Sequence, residues 1–234
     1  MPKGFFVTGT DTGVGKTIIA GALIKAIQFL GHTTGGMKPV ESGCSLEGDV
    51  LIPLDGMFLK QYSGMNEPIT LITPCCLRSP LAPLPASEID GIPVHISEIR
   101  KAFDILTPGY ETIVVEGIGG LMVPITKDYF TIDLIKDFRL PIIVVARPGL
   151  GTINHIMLTV QYALKEGLEI AGIVLNYTQS PENSLAEETN PHLLEQICPV
   201  PVIGIFPYLK KLDEQEIAKA AMKHLNLEHL KTFL

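Results

Sequence analysis

The sequence predicts an α/β protein built on an open, doubly wound, mostly parallel sheet flanked by helices. Three observations predict it. The runs "GFFVTG", "ETIVVEG", "LPIIVVAR" and "EIAGIVLN" are apolar on both faces of an extended chain, as strands covered by helices on each side require. These runs alternate with longer amphipathic stretches, the pattern of strand–helix–strand units. Hydrophobic residues make up 46% of the 234 residues and charged residues 18%, so the chain has the material for a packed core. One domain spanning 1–234 is the expectation, since no internal repeat or linker interrupts the alternation.

Taken in order, "GFFVTG" is the first strand, and "GKTIIAGALIKAIQFLG" follows as a helix closed by Gly31. "TTGGMKPV" is a short strand and "LDGMFLKQY" a helical piece. The proline-rich stretch Arg78–Val94 has no clear period and reads as a long loop, either a substrate loop or a plain connection. "ETIVVEG" is a strand, "DLIKDFR" a helix, "LPIIVVAR" a strand and "INHIMLTVQYALKEG" a long helix. "EIAGIVLN" is a strand, "PHLLEQI" a helix, "PVIGIF" a strand and "DEQEIAKAAMKHL" the closing helix.

Composition excludes several functions. A formal charge of −7 argues against a nucleic-acid partner, which needs a basic face. Cys44, Cys75, Cys76 and Cys198 contain no C-x-x-C pair, so neither a zinc knuckle nor a disulfide framework is expected. No apolar run reaches the ~18 residues of a membrane span, and "MPKGFFVTG" has no signal-peptide core. The expectation is a soluble cytoplasmic protein with reduced thiols and no membrane partner.

Ligands of doubly wound sheets sit beyond the carboxyl ends of the strands. After the first strand stands "GTDTGVGKT", in which Gly9 and Gly15 enclose five residues, one more than the common phosphate loop G-x-x-x-x-G-K-[ST]. Gly13 and Gly15 let backbone N–H groups turn toward phosphate oxygens, and the helix start adds partial positive charge. Lys16 is placed for β/γ-phosphates and Thr17 for Mg²⁺. A related group of partition and septum-positioning ATPases carries a second lysine early in a loop of this length. Asp11 stands at that place here, which disfavours a nucleotide-switched binding protein.

Other strand ends carry polar groups. Glu116 follows "TIVV" and precedes Gly117, Gly119 and Gly120, so a carboxylate that can hold Mg²⁺ adjoins a turn permitting close approach of a ligand. Lys38 and Ser42 follow the second strand; a lysine before a proline and a glycine loop is by itself ordinary surface chemistry, but at this rim a second cation could neutralise a transferring phosphoryl group. Spacing alone makes Asp55 the N-cap of the helix it opens. Asn176 ends a buried strand without the downstream aspartate that reads guanine, which favours adenine. Gly149, Gly151 and Thr152 form either a second anion-binding turn or a plain strand–helix loop. His155, one turn into the following helix, reads as a packed or surface residue.

As a set, "FVTGTDTGVGKT", "KPVESG", "VVEGIGG", "GLGTINH", "IVLN" and "PVIGIFPYL" resemble dethiobiotin synthetases across residues 5 to about 209, in that family's order. The resemblance implies a P-loop fold and an ATP- and Mg²⁺-dependent ligase. Such an enzyme joins CO₂ to 7,8-diaminononanoate through a phosphorylated carbamate and closes a cyclic urea. It implies that Lys16 and Lys38 are catalytic and that Thr17, Asp55 and Glu116 surround Mg²⁺. Nucleotide contacts are implied at Gly13, Val14, Gly15, Lys16, Thr17 and Ile18, and at Asp55, Glu116, Gly117, Ile118 and Gly119. Asn176, Pro207, Tyr208 and Glu214 are implied around adenine. Thr12 and Ser42 are implied to face the diamine, and Gly151, Thr152 and Asn154 of a partner subunit its carboxylate, in a homodimer. Three departures stand out. Gly13 replaces a glutamate found in some relatives, Ile118 replaces an alanine, and the loose match over Cys44–Pro93 leaves Asp49 competing with Asp55. An amide ligase with a glutamine-hydrolysing domain shares the loop, but 234 residues leave no room for that domain.

Overall fold

The computed structural model describes residues 3–234. Six strands, β1 (Lys3–Gly9), β2 (Thr34–Met37), β3 (Thr112–Glu116), β4 (Ile142–Ala146), β5 (Ile170–Asn176) and β6 (Val202–Phe206), form one sheet. Its order is β6-β5-β4-β1-β3-β2, and every pairing is parallel. From β1 the chain runs outward to β2 at the sheet edge, returns to β3, and then crosses to β4 on the other side of β1. That reversal opens a crevice at the carboxyl end of β1. Register fixes its walls: Val7 lies opposite Glu116 of β3 and Ile143 of β4, so the loop after Gly9 rises directly beside Glu116.

The strands are apolar on both faces because both faces are covered. Phe6, Ile113, Val115, Ile142, Val144, Ile173 and Leu175 point to one side. There they meet α3 (Ile96–Leu106), α4 (Thr131–Phe138), α5 (Thr152–Lys165) and α6 (Leu185–Ile197) once the earlier helices α1 (Lys16–Phe29) and α2 (Leu54–Ser63) are set aside. The alternate residues Phe5, Val7, Val114, Ile143, Val145 and Val174 face α1, α2 and α7 (Glu214–His224). Each such side chain, buried from water, contributes roughly 1.5–3 kcal/mol. Helix α1 is buried almost all round, and its "TIIAGALIKAI" run is correspondingly apolar beyond one stripe. Small paired segments, Val40–Ser42 with Cys75–Leu77, Ser45–Glu47 with Val50–Ile52 and Pro124–Thr126 with Tyr129–Phe130, decorate this frame.

Two expectations need correction, and one helix stands where none was expected. The stretch 78–94 is no plain loop: Pro83–Asp90 is a helix with proline in its first turn and left-handed Gly91 at its end. Asp90 then ties the segment back on itself by accepting from the backbone N–H groups of Arg78 (2.6 Å) and Ser79 (3.0 Å) and from the Ser79 hydroxyl (2.6 Å). Helix α3 lies outside the elements expected above, although Ile99, Ala102, Phe103 and Leu106 recur at helical spacing and are buried. Helix α6 starts at Leu185, before the expected proline, because Ser184 and Glu187 form a reciprocal capping box and Pro191 is accommodated inside it. Among the described residues no helix is long and apolar enough to cross a membrane.

Candidate active site

The loop between β1 and α1 is held at four points, one of them the Arg147 guanidinium donating to the Thr12 carbonyl at 3.0 Å. Thr10 N–H donates to the Val145 carbonyl at 3.0 Å, and the Asn176 amide donates to the Val14 carbonyl at 2.8 Å. Lys16 Nζ donates to the Asp11 carbonyl at 3.1 Å. Val14 itself is buried, so it offers the cleft only backbone. Gly15 takes a left-handed conformation (φ 87°, ψ 35°) as α1 begins, with no side-chain cap. A Cβ there would fall 2.1 Å from Asn176 Nδ2. Glycine is therefore demanded twice, by φ and by contact. Uncapped N–H groups at a helix start form an anion site. Burial, reinforced by repulsion from Lys38, lowers the Lys16 ammonium to about 8 against the pull of Glu116 and Asp55.

Beside the loop, four segments of the chain, α1, α2, the end of β3 and the stretch after β2, deliver one polar cluster. Thr17 Oγ1 from α1 donates within reach of Asp55 Oδ1 (3.0 Å) and Glu116 Oε1 (2.9 Å). Lys38 Nζ, following β2, donates to Asp55 Oδ2 at 2.7 Å and Glu116 Oε1 at 2.6 Å. Burial would discharge Lys38, but Glu116 and Asp55 outweigh it and hold the ammonium charged well above its usual range. Burial also works against Asp55, yet Lys38 keeps its carboxyl below the usual range. Glu116 is fully buried, which raises its carboxyl despite Lys38. Its second oxygen, Oε2, has no hydrogen-bond partner.

Asp55 is thus not the N-cap that spacing suggested: Pro53 occupies that position, and the Asp55 carboxylate turns toward Thr17 and Lys38. Asp49 lies in the exposed turn between Glu47 and Val50. Two carboxylates and a hydroxyl, one carboxylate oxygen being buried and unpartnered, are a hard-oxygen set that fits a magnesium ion sharing its shell with phosphate and water. Among the described residues no group of three or more His, Cys, Asp or Glu side chains forms an all-protein metal cage.

A cleft of about 660 Å³ brings these groups together. Of the residues singled out from sequence, Thr12, Gly13, Gly15, Lys16, Thr17, Ile18, Lys38, Ser42, Asp55, Glu116, Ile118, Gly119, Asn176, Pro207 and Tyr208 line it. Val14 and Gly117 adjoin it through backbone, Gly117 presenting its carbonyl 3.5 Å from Lys38 Nζ. Glu214 stands apart, paired with Lys25 at 2.5 Å. Gly151, Thr152 and Asn154 lie at the start of α5; Thr152 lines a smaller cavity of about 160 Å³ with Arg147 and His155. Glu41, Tyr177, Thr178, Leu209, Lys210 and Leu212 also line the main cleft without having been singled out. Tyr177 and Thr178 follow β5 and Leu209, Lys210 and Leu212 follow β6, so position was their signal, whereas Glu41 lies within the strand Val40–Ser42. Burial pushes the Glu41 carboxyl up to about 7, opposed by bonds from the Asp55 and Gly56 N–H groups.

A glycine loop after a parallel strand, with Lys-Thr opening a buried helix and acids at neighbouring strand ends, defines a P-loop nucleotide-binding protein. Solved structures of that class share the fold. The septum site-determining protein MinD of Pyrococcus horikoshii, complexed with Mg-ADP, superposes with TM-score 0.57 at 15% identity, covering 95% of this chain and 96% of that one. A putative plasmid partition protein of Borrelia burgdorferi bound to AMPPNP gives 0.57 at 12% identity, covering 99% and 98%. A family model described as an AAA domain matches residues 3–216. The ATP-dependent dethiobiotin synthetase BioD of Thermodesulfovibrio yellowstonii is 44% identical over 98% of this chain and 99% of its own length. Its namesake from Bacillus subtilis strain 168 is 39% identical over 97% of each. The chain belongs to the ATP-dependent dethiobiotin synthetase family.

Proposed function

We propose that this chain forms dethiobiotin from 7,8-diaminononanoate, CO₂ and ATP, as one cytoplasmic domain over 1–234 acting as a homodimer. The observation that carries this reading is Lys38, a charged lysine buried beside a phosphate loop and between two carboxylates. One substrate amine adds to CO₂ and loses a proton, giving a carbamate. The γ-phosphoryl group then passes to a carbamate oxygen with ADP leaving, and the second amine attacks the carbonyl carbon and expels phosphate. Little of this needs a protein nucleophile, so positioning and charge stabilisation carry the catalysis. The loop N–H groups and Lys16 hold the triphosphate. Lys38 neutralises charge on the carbamate and the moving phosphoryl group. Thr17, Asp55 and Glu116 would hold a magnesium ion, which when bound would supply charge neutralisation to the nucleotide phosphates.

Thr12 and Ser42 face the diamine from the cleft wall, and Ile118 narrows that wall. Adenine rests between Asn176 and the Pro207–Tyr208 segment, with Asn176 keeping an oxygen and one N–H free of its bond to Val14. Glu214 belongs at the outer edge of this adenine end. The partner subunit's α5 start, with Gly151, Thr152 and Asn154, receives the substrate carboxylate, a role supported by the buried, unpartnered Thr152 hydroxyl. Incubation with ATP, Mg²⁺, bicarbonate and 7,8-diaminononanoate tests the proposal. Phosphate release that depends on the diamine, with a cyclic urea in the mass spectrum, is expected; diamine-independent hydrolysis without that product would sink it.

A further inference from the structure

Helix α2 starts awkwardly. Its N-cap is Pro53, which offers no side-chain bond to the first turn. Free N–H groups at a partly buried helix start need a partner. They find it in Glu41, on the separate strand Val40–Ser42. Glu41 Oε1 accepts from Asp55 N–H at 2.9 Å and Oε2 from Gly56 N–H at 3.0 Å. Glu41 is 5% exposed, and a negative group at a helix N-terminus is also favoured by the helix dipole.

We infer that Glu41 is a positioning residue that sets the Asp55 carboxylate for cation binding. The inference rests on the proposed Mg²⁺-dependent reaction. Glu41 lines the cleft, but each of its oxygens already takes a backbone N–H, so it is not arranged to take a proton from the diamine. The residue whose N–H it holds is the one whose side chain reaches Thr17 Oγ1 and Lys38 Nζ. Asp55 is itself 36% exposed at its side chain, so packing alone does not fix it. The next residue, Gly56, is pressed so close to Thr73 that a Cβ would fall 1.9 Å from the Thr73 hydroxyl. The helix start is thus seated against Thr73 on one side and tethered by Glu41 on the other. Groups that orient metal ligands in this way typically govern about 10–100-fold in metal affinity.

The test uses Mn²⁺ as a paramagnetic probe, titrated into the full chain with ADP present, in wild type, Glu41→Gln and Glu41→Ala. Melting temperature and ADP affinity in EDTA are measured alongside. Glu41→Gln keeps one acceptor oxygen and turns an NH₂ toward the other N–H, so Mn²⁺ affinity should fall by about 10-fold, and further in Glu41→Ala. Metal-free ADP affinity should change by less than about twofold, since Glu41 touches no part of the phosphate loop. Under turnover the Mg²⁺ half-saturation should rise in the same order. Unchanged Mn²⁺ affinity in Glu41→Gln overturns the inference. So does an equal loss of metal-free ADP affinity, which would mark a general structural role. Should Glu41→Ala fail to fold, Glu41→Gln alone decides. A wild-type protein that binds neither ADP nor Mn²⁺ would instead overturn the proposed function.

Discussion

Two turns of this molecule are built alike and behave differently. After β1 and after β4 the chain passes through a glycine-bearing turn, ends it on a left-handed glycine, and opens a helix of 14 residues with no side-chain cap. Gly15 has φ 87° and Gly151 has φ 90°. Yet a Cβ on Gly15 would strike Asn176, whereas one on Gly151 would meet nothing within 4 Å. Gly15 is hemmed in by Asn176 and Thr178 at the end of β5; Gly151 is followed by α5 at the surface and preceded by Leu150, which is 95% exposed. The same local device borders a cleft of about 660 Å³ in one place and a cavity of only about 160 Å³ in the other. Buried polar side chains gather at the first turn, where other strand ends supply Lys38, Glu116 and Asn176.

The comparison breaks most sharply at the residues that only the first turn recruits. Lys38→Ala should lower kcat by at least about 100-fold while ATP binding stays measurable, because charge stabilisation of the moving group is lost. Near wild-type turnover would remove Lys38 from the mechanism. The same variant leaves the buried Glu116 carboxylate without its cation, so Mg²⁺ should raise its melting temperature more than it raises that of wild type.

Lys16→Ala should weaken ATP binding by roughly 10–100-fold, the range for a lost bond between charged groups. Calorimetry showing unchanged affinity would count against the loop as phosphate site. A paired substitution tests the turns directly. Alanine in a left-handed conformation costs about 1–2 kcal/mol at either glycine, but Gly15→Ala adds the collision with Asn176 and should also abolish ATP binding, while Gly151→Ala should leave it within about twofold. Equal effects in both assays would erase the distinction drawn between the turns. The smallest effect is expected for Asn176→Ala, which removes the bond to the Val14 carbonyl. About 1 kcal/mol of stability in urea unfolding and a few-fold rise in the KM for ATP should follow.

The strands of the central sheet were legible because burial on both faces leaves a signature of uninterrupted apolar residues, as in "TIVVE" and "IIVVA". The phosphate loop was legible because its glycines and Lys-Thr pair are contiguous. Helix α3 carried an equally readable period in Ile99, Ala102, Phe103 and Leu106, but it lies between the Arg78–Val94 stretch and "ETIVVEG", where no element is expected from the sequence. The Pro83–Asp90 helix was harder, since its stop depends on Gly91 and its closure on Asp90 bonding to backbone eleven and twelve residues away. Asp55 was read as a cap because a cap is local, whereas its actual contacts are 17 and 38 residues distant. The task performed by Glu41 left no local trace at all.

By itself the sequence determined what short-range physics can settle: which segments are buried on both faces, where a helix follows a glycine turn, and which polar residues end strands. Only the tertiary structure decided which of those polar residues meet. Strand order put Glu116 beside the first loop, the fold of 38–56 brought Lys38, Glu41 and Asp55 to it, and β5 closed it with Asn176. Such contacts depend on sheet register and helix placement, set by the packing of the whole core, and no window of the chain encodes them.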